Sequence, residues 1–240
     1  MVRTDSEVIK IVRFPLAVLV VLIHSFATVE GYDITSVDYS NLTGADCYSL
    51  LGFSISRVLA QVAVPFFFFI SGYLFYLNYN QWNWIKWVEK LKRRTHRLLI
   101  PYLAWISIAV FEIVAAYLLL FYLKGKPLDS LVEWYNNIGG LSGIYWNDVS
   151  HVETITNIIG WESYMTYPLL MPMWFKRDLM VAVLFSPIVW LALKRIPRVF
   201  VVSLGFLWIA GAGTKVPGLS LTSLFMFAWG GTFQLKHIVS

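Results

Sequence analysis

Charge is what this 240-residue sequence has least of. Asp, Glu, Lys and Arg make up 14% of it, against 58% in the hydrophobic set. A soluble domain carries about a quarter of its residues as charges to cover its surface, so an ordinary soluble globule is excluded. Cysteine is nearly absent: Cys47 stands alone, which rules out an intrachain disulfide. The four histidines, His24, His96, His151 and His237, are scattered, and no zinc-ligand spacing arises, so no metal is expected. No glycine-rich phosphate loop follows a strand, and there is neither an internal repeat nor a low-complexity segment. The first apolar stretch lacks a small-residue cleavage site, so it is expected to stay as a helix and not to be removed as a signal peptide. Lys and Arg outnumber Asp and Glu, 19 to 14, yet they sit beside apolar stretches. That placement suits lipid head groups and topology signals and argues against nucleic acid as a partner.

What the sequence has in quantity is apolar stretches near 20 residues, enough to cross a hydrocarbon core of about 30 Å as helices. They cover roughly residues 11–29, 58–77, 98–123, 179–193, 199–213 and 219–235. The fold class expected is therefore all-α, a polytopic transmembrane bundle of six spans forming a single membrane domain over 1–240. The fourth and fifth spans are short and need tilt, local thinning or flanking residues. With the N-terminus cytoplasmic, 13 of the 19 Lys and Arg fall inside and 6 outside, which puts both termini inside a multi-pass cell membrane. The inner connection 78–97 holds Trp82, Trp84 and Trp87 followed by a dense basic run, the pattern of an amphipathic helix lying at the interface. The outer connection, about 124–177, is too long for a turn and rich in aromatics, Trp134, Tyr145, Trp146 and Trp161 among them.

Several residues stand out for chemistry. In "VRFPLAVLVVLIHSF" Arg13 and His24 are eleven positions apart. On a helix that separation is about 20° past three full turns and roughly 16 Å along the axis, so both share one face at different depths. Arg13 is either a snorkelling anchor or part of a site. His24 is either a neutral imidazole bridging two helices or a functional group at mid-depth. In "VPFFFFISGYLFYL", Gly72 suits close helix packing, and Ser71 either packs or orients a catalytic group. Arg94 and Arg97 lie one turn apart in "KLKRRTHRLLIPYL", a pair suited to phosphate and equally to lipid anchoring. Glu112 lies near the middle of the third span, where a carboxylate is protonated or paired, with His24 or a cation as partner. In "MPMWFKRDLMV", Lys176 belongs to a belt of interfacial anchors, and Asp178 is placed to cap a helix N-terminus.

Taken in order, Arg13-x10-His24, "FFFFISGYL", Arg94-x-x-Arg97 with "LLIPYL", and "MWFKRDLMV" resemble acyltransferase family 3, the integral-membrane O-acyltransferases. The resemblance implies a membrane enzyme that moves acyl groups, commonly acetyl, onto sugars of cell-surface glycans. It implies acyl-CoA, commonly acetyl-CoA, as donor and the Arg13–His24 pair as essential. Family members have more membrane helices than six, which implies that these residues form the N-terminal part of a longer fold.

The expected mechanism puts the phosphates of acyl-CoA on Arg94, Arg97 and Arg13 at the cytoplasmic face, with the thioester brought near His24. His24 then takes the proton of an acceptor hydroxyl, or itself becomes acylated. Ser71, Glu112 and Asp178 are supporting residues. Two other readings stay open: a transporter or exporter of a sugar-linked lipid with His24 and Glu112 as a proton relay, and an inactive scaffold. The inverted repeat that would mark a transporter is not seen.

Overall fold

The computed structural model describes residues 2–25, 37–77, 81–125, 127–156, 160 and 162–239. Helices dominate, and the chain divides into two compact units, Met1–Ser71 and Gly72–Ser240. Three helical stretches, Glu7–Ser25, Gly44–Tyr76 and Trp84–Lys124, are long and apolar enough to cross a membrane.

The first unit holds α1 (Val2–Ser25), α2 (Gly44–Phe53) and the start of α3 (Ala63–Tyr76). Residues 26–29 of the expected first span lie outside the described residues. Thr43 starts α2 through a capping box, its hydroxyl accepting from the Asp46 N–H while the Asp46 carboxylate accepts from the Thr43 N–H. Between α2 and α3 the helix widens into a π-helical turn, Ser54–Leu59, and then tightens into a 3-10 turn, Ala60–Val62. α1 packs against both turns. The small side chains Ala60 and Ala63 are fully buried, and buried Ser56 donates its hydroxyl to the Ile23 carbonyl at 3.4 Å. Pro15 lies inside α1, where it lacks the N–H that would bond one turn back.

The second unit is built around α4 (Trp84–Lys124), a single helix of 41 residues, about 60 Å long. The expected interfacial helix and third span are thus one continuous element. Asn83 starts it by accepting from the Lys86 N–H, and the Lys, Glu, Leu and Arg residues that follow favour helix. Gly125, at φ 62°, ends it in the left-handed conformation that glycine adopts without strain.

The long connection after α4 is folded. It contains α5 (Asp129–Asn137), α6 (Gly140–Tyr145), a 3-10 turn and a hairpin. In the hairpin, β1 (Glu153–Thr156) pairs antiparallel with β2 (Glu162–Met165), Glu153 opposite Met165. The segment runs back along α4. The Trp134 ring lies 6.3 Å from that of Tyr117, whereas Tyr145 accepts at its carbonyl from the Tyr102 hydroxyl at 2.5 Å and pairs its own hydroxyl with Ser107 at 3.0 Å. From Tyr117 to Ser107 and Tyr102 is about 15–22 Å along the helix axis. Tyr102, Ile106, Ile138 and Ile144 form the core that holds this descent in place.

Four helices follow: α7 (Trp174–Leu184), α8 (Ser186–Arg195), α9 (Pro197–Ile209) and α10 (Leu221–Val239). The expected fourth span is interrupted at Phe185, because Pro187 has no N–H for the Val183 carbonyl. The Ser186 hydroxyl takes that carbonyl instead, at 2.6 Å. Ser186 also receives the Tyr76 hydroxyl on its carbonyl (2.7 Å) and the Trp87 indole N–H on its own hydroxyl (2.9 Å), tying α3, α4 and α8 together.

The last turns of α3 dock onto α10. Phe75 and Tyr76 each lie 5.7 Å, ring to ring, from Phe227, and a Cβ at Gly72 would run into the Phe227 backbone. Gly72→Ala is therefore expected to destabilise the protein by about 1–3 kcal/mol through overpacking. Gly44→Ala, with nothing near its Cβ, is expected to leave stability unchanged. Thermal unfolding of both variants beside the native chain checks this.

Candidate functional site

The residues singled out above fall into two groups. Arg13, His24 and Ser71 belong to the first unit, and Arg94, Arg97, Glu112 and Asp178 to the second. α1 is helical through both Arg13 and His24, so the two do share a face, and both side chains are exposed on it. Neither makes a hydrogen bond or ion pair among the described residues. Ser71 is buried in α3, next to Gly72.

On α4, Arg94 is half-buried with its guanidinium 5.2 Å over the Phe75 ring, while Arg97, one turn on, is exposed. Lys90 donates to the Phe75 and Leu77 carbonyls at 2.5 and 3.2 Å, closing the C-terminal end of α3. Cations thus crowd one end of α4. Glu112 lies fifteen residues beyond Arg97, about 22 Å along the axis, and is exposed with no ion pair among the described residues.

Asp178 does not cap α7: the helix begins at Trp174, so Asp178 is inside it. Its carboxylate accepts from Arg177 Nε at 3.0 Å and Nη2 at 2.9 Å, and both residues are 2% exposed. Arg177 also donates Nη1 to the Trp146 carbonyl at 2.6 Å and Nη2 to the Thr166 carbonyl at 2.8 Å. The guanidinium therefore joins α7 to the residue after α6 and to the residue after β2. Burial pushes the Asp178 carboxyl up to about 6, against the opposing pull of Arg177. Half-burial likewise lowers the Lys176 ammonium. With its donors engaged, Arg177 acts as a clamp and lines the first of two cavities in this unit.

One cavity, of about 300 Å³, is lined by Arg177 and Asp178 together with Trp174, Tyr164, Trp208 and the turn 211–222. The other, of about 520 Å³, lies between the C-terminal part of α4, α5 and the segment 148–171. One face of α5 lines it, Ser130, Glu133, Trp134 and Asn137, at the i, i+3, i+4, i+7 spacing that keeps side chains on one side of a helix. Opposite stand Asp148, Ser150 and His151. Asp148 Oδ1 accepts from the Ser150 hydroxyl at 2.5 Å, and His151 Nδ1 lies 3.1 Å from Asp148 Oδ2 and 2.9 Å from Ser150 Oγ. A carboxylate accepts only, so Nδ1 carries a proton, and in the neutral imidazole Nε2 then keeps its lone pair. Asp148 is 5% exposed and is held by its own N–H bonding the Tyr167 carbonyl at 2.7 Å.

A family model described as an acyltransferase domain matches residues 7–235. The chain belongs to acyltransferase family 3. No curated protein and no solved structure is significantly similar to it. The match includes every residue expected above to serve acyl transfer, and it makes this chain an acyltransferase-family membrane protein.

Two features of this family-3 chain went unanticipated. Arg177 lies within "MWFKRDLMV", but two of its partners lie 11 and 31 residues away, beyond any local pattern. The Asp148–Ser150–His151 cluster did carry a local signal, an aspartate followed at two and three positions by Ser and His, the pattern of a side-chain-capped turn. A search for zinc spacing passes over it.

Removing one member of a buried ion pair leaves the other charge unpaired, at about 3–5 kcal/mol. Asp178→Ala is expected to show that loss in thermal unfolding. Arg177→Lys is expected to behave nearly as badly, since an ammonium cannot span the Asp178, Trp146 and Thr166 acceptors.

Proposed function

We propose that this chain is a membrane-bound O-acyltransferase that moves an acyl group, commonly acetyl, from acyl-CoA to a hydroxyl of a cell-surface glycan. The observation that carries the reading is the family match over residues 7–235, taken with Arg13 and His24 on one face of an unbroken α1. His24 acts as general base, taking the proton of the acceptor hydroxyl as the oxygen attacks the thioester carbon and CoA thiolate leaves. Arg13 shares that face at the cytoplasmic end. Arg94 and Arg97 hold phosphates of the donor through guanidinium forks, consistent with the crowd of cations at that end of α4. Ser71 and Glu112 support the reaction, and Asp178 does so by pairing with Arg177. The reading keeps six spans with both termini cytoplasmic, in the cell membrane. The excess of Lys and Arg on one side supports that orientation.

His24→Ala is expected to lower acyl transfer by about 10²–10⁴-fold at unchanged protein level; transfer at the native rate would take His24 out of the chemistry. Replacing Arg94 and Arg97 together by Ala is expected to weaken acyl-CoA binding in a direct titration. Unchanged affinity would make the pair a lipid anchor.

A further inference from the structure

We propose that the 520 Å³ cavity between α4, α5 and segment 148–171 is a binding site for one or two pyranose rings of a non-acidic sugar. Its volume lies within the range of small-molecule sites, about 300–1,000 Å³. Three observations define the ligand. First, the lining pairs aromatic and polar groups in the proportions a sugar needs. Trp134, with Tyr117 beside it, offers a ring face for the C–H side of a pyranose, and Glu133, Asn137 and His151 offer hydrogen-bonding groups for its hydroxyls.

Second, the polar groups on one wall are pre-set. Asp148 fixes the His151 ring so that in the neutral imidazole Nε2 is an acceptor, and the bonds of Asp148 to Ser150 fix Asp148 in turn. A hydroxyl donating to Nε2 meets a group that pays little further ordering entropy.

Third, with His151 neutral, the charge has one sign. Glu133 and Asp148 are carboxylates, and neither Lys nor Arg is among the described residues lining the cavity. A uronate or a sugar phosphate is repelled there, whereas a neutral sugar is accepted and an amino sugar attracted. Position agrees: Tyr117 lies twenty residues beyond Arg97 on α4, about 30 Å along the axis, the thickness of one hydrocarbon core. The cavity therefore stands at the opposite end of α4 from the basic run that ends at Arg97. Its role as acceptor site rests on the proposed glycan acylation; sugar binding itself does not.

The test is saturation-transfer NMR on the full chain in phosphatidylcholine nanodiscs, free of sugar-headed detergent, with methyl glucoside, glucosamine and glucuronate as probes. Saturation of the glucoside and glucosamine ring protons, with none on glucuronate, is the expected result. Trp134→Ala is expected to weaken both signals by about tenfold or more. Trp134 also packs on the core, so exposed Glu133 supplies a second variant: Glu133→Lys is expected to lose glucosamine and gain glucuronate. Equal saturation of glucuronate by the native chain, or signals unmoved by Glu133→Lys, would overturn the assignment. His24→Ala is expected to leave the sugar signals intact. Transfer that survives His24→Ala, with glucoside still bound, defeats the mechanism and spares the cavity; His24-dependent transfer without sugar binding defeats the cavity alone.

Discussion

The second unit depends on one buried guanidinium. Arg177 cannot be left unpaired in so dry a place, since an uncompensated buried charge costs several kcal/mol. Its demand for acceptors dictates where three separate pieces of chain go: Asp178 on α7, the Trp146 carbonyl after α6, and the Thr166 carbonyl after β2. Two residues past Trp146 stands Asp148, and one past Thr166 stands Tyr167, whose carbonyl takes the Asp148 N–H. The wall that orients His151 is thus hung from Arg177 without touching it. A fold with so much irregular backbone beside a long apolar helix needs such a fastening, because its peptide groups have no ladder to share.

Around that fastening, the elements divide their work along α4. α4 carries cations at one end and the Tyr117 ring at the other, and the segment after it turns back to reach Tyr102. Irregular backbone beside a membrane-length helix is tolerated where protein covers it or a watery cavity lines it. Both conditions hold here: Ile138 and Ile144 are buried in the core, and the polar cluster opens on the cavity.

How much was legible in the sequence follows from how local each feature is. Arg13 and His24 could be placed on one face because helical phase needs nothing but spacing. Gly72 could be read as a packing residue, and its approach to Phe227 shows why a side chain is excluded there. The continuity of α4 was missed because a basic run beside tryptophans looks interfacial, and α4 continues through Pro101, a residue that ordinarily breaks or kinks a helix. The interruption at Phe185 was written in Pro187, but an apolar window averages over it. The descent of 134–145 along α4, and the Arg177 clamp, depend on bonds between residues far apart in the chain, which no periodicity records.

The unbroken course of α4 has a mechanical consequence. A helix that joins its cationic end to the cavity wall moves both when it tilts, with Pro101, which has no N–H for the Arg97 carbonyl, as the soft point between them. A rotation of about 5° over the 30 Å between Arg97 and Tyr117 displaces one end against the other by about 3 Å, close to the length of a hydrogen bond. The helix is a lever whose two arms end in different chemistries.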